Sequence, residues 1–101
     1  MDASQVIVTL RKKRKLSQIE FAKLIGLTQA SLSNIESNKT KPHKSTITKI
    51  CEVLGIPEQW FYFLTLTEND LPEVSKEKFN RFGNELKDII LKSLEFESSS
   101  V

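Results

Sequence analysis

Two helix starts with a glycine stop between them constrain this chain more than any other feature. Ser17 stands three residues before Glu20. In that pairing the serine hydroxyl caps the amide of residue 20, and the glutamate reaches back to the amide of Ser17. Phe21, Ala22, Leu24 and Ile25 follow at helical spacing and define an expected inner face. Gly26 supplies the left-handed backbone that closes such a helix, and Thr28 is placed to cap the next one. Leu32 and Ile35 are its inward positions. The other positions Gln29, Ala30, Ser31, Ser33, Asn34 and Ser37 are small or carry an amide. A solvated surface helix usually favours Lys and Glu on its outer side. Neutral amides and small hydroxyls suit a helix that meets another polar surface closely.

Helical spacing extends over nearly the whole chain. Val6, Ile7 and Leu10 mark a first helix that is expected to end near Lys15, with Arg11, Lys12, Lys13, Arg14 and Lys15 on its outer side. Cations at that end also suit the helix dipole. After a polar, basic loop over 37–44, a fourth helix carries Ile47, Ile50, Cys51 and Leu54 inward and closes at Gly55. Pro57 fits the first turn of a fifth helix, which opens on the aromatic run Trp60, Phe61, Tyr62, Phe63. A connector over 65–74 leads to a last amphipathic segment starting at Lys76. Its apolar residues are Phe79, Phe82, Leu86, Ile89, Ile90, Leu91, Leu94 and Phe96. Gly83 inside that segment costs about 1 kcal/mol relative to alanine. It either admits a close approach or splits the helix.

Composition removes several alternatives. In 101 residues there are 3 Gly and 3 Pro, too few for the many turns of an all-β architecture. The expected fold class is therefore all-α. No apolar stretch approaches the ~18 residues of a membrane span, and the polar start of the chain lacks a signal-peptide pattern. The single cysteine, Cys51, excludes an intrachain disulfide framework and points to a reducing, cytoplasmic setting. With one histidine beside it, no usual zinc site is expected. No nucleophile–base pair, paired carboxylates or phosphate-binding glycine loop appears, so neither an enzyme nor a cofactor or small-molecule substrate is expected.

Charge is unevenly spread. Residues 1–66 hold ten Lys/Arg against five Asp/Glu, and residues 67–101 hold five against eight, within a net charge of +2. The basic part suggests an anionic partner. A neutral hydrogen-bonding helix between basic segments at 11–15 and 39–44 has the physical layout of a duplex-DNA reader. In such a protein, phosphate contacts position and base-edge contacts specify.

At Arg11, Leu16, Gln18, Ala22, Gly26, Thr28, Gln29, Ser31, Leu32, Ile35, Glu36, Pro42, Ile50, Leu54, Gly55 and Trp60 the chain resembles the helix-turn-helix domain of the phage lambda/434 repressor and Cro family, also called the XRE family. The resemblance covers roughly residues 4–64. It implies a five-helix DNA-binding domain, here 1–66; the tail lies outside the resemblance, and its apolar stripe marks a C-terminal amphipathic helical extension, 67–101, expected to aid dimerisation. It implies base-reading roles for Gln29, Ala30, Ser33 and Asn34, with Gln29 able to pair bidentately with adenine. Gln18, Thr28, Ser31, Lys39, Lys41 and His43 fall on DNA-backbone positions, with Gln18 also bracing the reading helix. Arg11 and Glu36 match a structural ion pair.

Three positions depart from the family pattern. Ala30 is shorter than the usual polar reader and leaves contact with a thymine methyl. Asn38 replaces the usual glycine, and asparagine tolerates left-handed backbone. His43 replaces a hydroxyl cap, which moves the expected helix start to Ser45.

The expected function is a sequence-specific transcriptional regulator acting as a homodimer on double-stranded DNA, without membrane contact. Trp60, Phe61, Phe63, Phe79, Phe82, Leu86 and Ile89 are the expected dimer interface. The alternative is an antitoxin or anti-repressor type interaction module whose tail grips another protein.

Overall fold

A computed structural model describes residues 1–99, and within them the side chains of all but residues 68, 74 and 95–99. The place of Phe96 in the apolar stripe lies outside the described side chains. No strand occurs among the described residues. The helices are α1 (Ala3–Lys13), α2 (Gln18–Ile25), α3 (Gln29–Glu36), α4 (Lys44–Leu54), α5 (Glu58–Thr65), α6 (Glu73–Lys78) and α7 (Asn84–Ser99). A short 3₁₀ turn, Glu68–Asp70, precedes α6, and a wide π-type turn, Phe79–Gly83, joins α6 to α7.

The starts of the first three helices follow from local side-chain chemistry. Ser17 accepts from the Glu20 amide at 3.1 Å, while the Ser17 amide donates to Glu20 Oε1 at 3.0 Å. Hydrogen bonding of the Glu20 carboxyl to the Ser17 amide first and the Ser17 hydroxyl second holds it below its ordinary range. Thr28 accepts from the Ser31 amide at 3.1 Å. Asp2 and Gln5 form an equivalent reciprocal pair at the head of α1, both bonds 2.8 Å. Helix α4 starts at Lys44, one residue before the expected Ser45. His43 occupies the cap position without a side-chain bond, so extended backbone alone sets that start.

The ends of α1 to α4 share one closure. In each, a left-handed residue follows the helix, and the next amide bonds back to a carbonyl five residues earlier: Leu16 to Arg11 at 3.2 Å, Leu27 to Ala22 at 2.9 Å, Lys39 to Asn34 at 2.9 Å and Ile56 to Cys51 at 3.0 Å. The left-handed residues are Lys15 (φ 57), Gly26 (φ 74), Asn38 (φ 65) and Gly55 (φ 68). Glycine and asparagine adopt this backbone readily, whereas for a residue such as lysine it costs about 1–2 kcal/mol.

One core joins these helices. Val6, Ile7, Phe21, Leu32, Ile50, Phe61 and Leu64 are wholly buried in it. Leu24, expected to face inward, instead lies 49% exposed, because Phe21, Ala22 and Ile25 already fill the inner face of α2. Arg11 and Arg14, expected on the outer side of α1, turn inward one helical turn apart. Arg14 donates to the Leu54 carbonyl at 2.6 Å and so caps the end of α4. Thr48 donates to Glu58 at 2.7 Å and ties α4 to α5. Cys51 is buried, and that burial, helped by the nearby Glu58 carboxylate, pushes its thiol up to about 11. It remains a protonated packing residue at neutral pH.

The tail folds back onto the same core. Leu94 is 1% exposed within it, and Ile90 and Leu91 pack against it. Helix α7 lies against α1 and α5. The wide turn is stitched down by aromatic and cationic contacts. Phe79 meets Phe63 edge-on at 6.4 Å, and the Lys87 ammonium sits 5.0 Å over the Phe79 ring while donating to the Leu66 carbonyl at 2.6 Å. Burial lowers the pKa of Lys87. Gly83 is buried here, and a Cβ on it would stand 2.9 Å from the Phe79 ring. Gly83 therefore admits the close approach of that ring, and the helical path continues through the wide turn. The stripe divides accordingly: Ile90, Leu91 and Leu94 turn inward, while Phe82 (54%), Leu86 (51%) and Ile89 (58%) stay exposed.

Candidate nucleic-acid interface

Helix α3 is held from both ends of α1. Near the start of α1, the buried Ser4 hydroxyl donates to the Ile35 carbonyl at 2.7 Å. Near its end, the Arg11 guanidinium grips Glu36 with both prongs, Nε to Oε2 at 2.8 Å and Nη2 to Oε1 at 3.0 Å. The third donor, Nη1, bonds the Leu16 carbonyl at 2.9 Å. Gln18 Nε2 adds a bond to Glu36 Oε1 at 2.9 Å. Side-chain exposure is 12% for Arg11 and 6% for Glu36, so this junction of α1, α2 and α3 is close to dry. Fork-on-fork geometry with charged partners makes strong, directional bonds, and the result fixes both the tilt and the rotation of α3.

That rotation decides what α3 presents. Leu32 and Ile35 are buried against the core, and the only carboxylate of the helix is consumed by Arg11. Gln29, Ala30, Ser31 and Asn34 are exposed, and Ser33 is half-buried beside them. The outer face is uncharged and carries two amides, hydroxyls and one methyl. A carboxylate there would repel a phosphate-lined groove, whereas these groups can donate to and accept from base edges. Thr28 and Ser31 engage each other, hydroxyl to hydroxyl at 3.0 Å, at the N-terminus of the helix.

Basic residues flank this face. Lys39, Lys41 and His43 are exposed along the α3–α4 loop, and Lys12 and Lys15 are exposed at the end of α1. Among the described residues these lysines make no ion pair, leaving them free to meet an anion. The loop is shaped by Asn38, whose left-handed backbone closes α3 and whose side-chain oxygen lies 3.3 Å from the Ser4 hydroxyl.

The residues expected at a dimer interface fall in four places, with Phe79 packed inside the wide turn against Phe63 and Gly83. Phe61 is fully buried within the chain, Trp60 and Phe63 are half-buried against the core and the wide turn, and Phe82, Leu86 and Ile89 form the exposed stripe. Among the described residues no group of acidic, His and Cys side chains could hold a metal ion. Among the described residues no helix is long and apolar enough to cross a membrane. The bracing role of Ser4 escapes a reading of the sequence by itself, as does Glu36 as the partner of Gln18. Ser4 carries a faint signal, being a small hydroxyl residue one turn before buried Ile7 on an otherwise apolar face.

Comparison with known proteins agrees with this geometry. The Helix-turn-helix family pattern matches residues 7–61. An immunity repressor protein of Bacillus phage phi105 is 36% identical over 56 residues, 55% of this chain and 39% of the relative. The HTH-type transcriptional regulator PuuR of Escherichia coli K12 is 38% identical over 53 residues, 52% of this chain and 29% of the relative. An uncharacterized HTH-type transcriptional regulator of Mycobacterium tuberculosis, Rv0023, is 38% identical over 55 residues, 54% of this chain and 22% of the relative. The chain thus spans about two-fifths or less of the length of these curated relatives. No solved structure gives a significant match. With more than half of its length matched and the capped α2–turn–α3 unit in place, the chain belongs to the helix-turn-helix family, in the XRE group that includes lambda/434 repressor and Cro-like domains.

Proposed function

We propose that this protein is a sequence-specific transcriptional regulator of the cytoplasm that binds double-stranded DNA as a homodimer on an operator. The observation that carries this reading is the uncharged outer face of α3, locked in rotation by the Arg11–Glu36–Gln18 junction and bordered by unpaired cations. Residues 1–66 act as the DNA-binding unit. Gln29, Ala30, Ser33 and Asn34 read base edges in the major groove. Gln18, Thr28, Ser31, Lys39, Lys41 and His43 follow the sugar–phosphate backbone. The chemistry is occupancy: an occupied operator blocks or recruits other machinery, and no bond is made or broken.

Gln29→Ala tests the reading role. Its loss is expected to cost about 1–3 kcal/mol on the preferred duplex and to relax preference at one base pair. Equilibrium titration of wild type and variant on a preferred duplex and its single-base variants measures both. An unchanged preference would remove Gln29 from the reading face.

Residues 67–101 serve as the dimerisation element, with Phe82, Leu86 and Ile89 meeting a second copy. Support comes from their exposure at about half their surface each, on one face of the tail, while the opposite face is committed to the core. Two-fold readers of this kind engage half-sites about one helical turn, ~34 Å, apart. The double substitution Phe82→Glu with Leu86→Glu is expected to leave the fold intact and abolish self-association in sedimentation equilibrium. A variant that self-associates as the wild type does would refute this assignment. The same stripe favours a second reading, an antitoxin or anti-repressor type module that covers it with another protein. A wild-type chain that stays monomeric yet binds duplexes weakly or not at all would select that reading.

A further inference from the structure

The helix closures single out one residue. Four equivalent positions, Lys15, Gly26, Asn38 and Gly55, take the same left-handed backbone. Two are glycine and one is asparagine, which suit it. Lys15 is the outlier: a long, charged side chain on a backbone that disfavours it, exposed to solvent. Strain of this kind concentrates where a side chain has work to do. No contact within the chain explains Lys15, because among the described residues its ammonium has no partner. The carboxylate nearest along the chain, Glu20, accepts from the Ser17 amide.

Its location gives the reason a chemistry. Lys15 directly precedes Leu16, whose carbonyl is bound to Arg11 at 2.9 Å. The same guanidinium holds Glu36, the last residue of α3, and Glu36 also holds Gln18, the first of α2. Neighbouring Cα atoms are only ~3.8 Å apart. Lys15 is therefore one residue from a member of the rigid junction, as the exposed Lys39 is three residues beyond Glu36, another member.

We infer that Lys15 is a phosphate-contacting residue of the DNA interface, kept in a strained backbone because that position puts a cation at the rim of the α1–α2–α3 junction. The inference rests on the DNA-binding reading above. It separates from a structural role because strain and charge predict opposite effects.

Lys15→Gly removes both strain and charge. It is expected to raise the urea midpoint of unfolding while flattening the slope of log affinity against log salt by about 0.9, the loss of one phosphate contact. Lys15→Asn keeps a tolerated left-handed residue and is expected to flatten the slope equally, whereas Lys15→Arg restores it. The measurement is fluorescence anisotropy on random-sequence duplexes across a salt series, with Lys39→Ala for comparison. If Lys15→Gly and Lys15→Asn keep the wild-type slope while Lys39→Ala lowers it, the Lys15 assignment is wrong and DNA binding stands. If wild type itself shows no salt-dependent duplex binding, the DNA-binding reading falls and takes this inference with it.

Discussion

Arg11→Ala is expected to destabilise the protein by about 3–5 kcal/mol, the cost of leaving one member of a desolvated ion pair behind. Glu36 keeps only 6% of its side-chain surface and would retain the Gln18 amide as its one strong donor. The Leu16 carbonyl would lose its partner as well. Glu36→Ala is expected to act similarly, stranding the guanidinium. Arg11→Lys preserves charge but not the fork, so it cannot bond both carboxylate oxygens and the Leu16 carbonyl together. It is expected to recover only part of the loss.

The exposed pairs of the same chain provide the contrast. Lys49–Glu52 spans 4.0 Å with more than half of each side chain in water, and Glu73 of the Lys76–Glu73 pair is 86% exposed. Breaking either is expected to change stability by less than about 0.5 kcal/mol. Urea unfolding of these variants measures the difference. A change under about 1 kcal/mol for Arg11→Ala would mean that the junction does not fix α3.

Leu94→Ala is expected to cost about 2–5 kcal/mol, the range for emptying a buried leucine site that cannot fully collapse. Leu94 lies far along the tail, yet it is 1% exposed within the cluster that holds Val6, Ile7 and Phe61. If the tail were an independent arm, truncating this residue would leave the stability of the rest unaltered. Ile89→Ala, on the exposed side of the same helix, is expected to stay within about 0.5 kcal/mol when measured at concentrations too low for self-association. Equal, small effects at both positions would place α7 off the core.

The parts of this fold that were legible in the sequence are those encoded by adjacent residues. Ser17 with Glu20, Thr28, Gly26 and Gly55 announce starts and stops through local bonds and allowed φ, and all four positions behave accordingly. The inward set of α1, α3 and α4 follows from spacing alone. What spacing leaves open is which of two apolar faces a broad stripe commits to the core. Phe79, Phe82, Leu86 and Ile89 form the more regular series, yet Ile90, Leu91 and Leu94 are the residues that turn inward, because α1 and α5 supply the surface that receives them. The wide turn over Phe79–Gly83 was similarly hidden. Gly83 signals a close approach, but Phe79 as the approaching ring is a tertiary fact.

The reading face shows the same division. The neutrality of α3 is visible residue by residue. Its orientation depends on Ser4, Arg11, Gln18 and Glu36 meeting across three helices; the family resemblance suggests the Arg11–Glu36 pair and a bracing role for Gln18, but neither the part played by Ser4 nor Glu36 as the partner of Gln18. Arg14 is a counterexample to reading a basic run as one surface. The run from Arg11 to Lys15 sends both arginines inward and leaves Lys12 and Lys15 outside.

Enrichment of bound duplexes from a random-sequence pool tests the central claim most directly. The account predicts a two-fold symmetric motif with half-sites about one helical turn apart, and a Gln29→Ala protein that loses preference at one pair of symmetry-related positions. A pool that emerges unenriched, with wild type and Gln29→Ala indistinguishable, would contradict it.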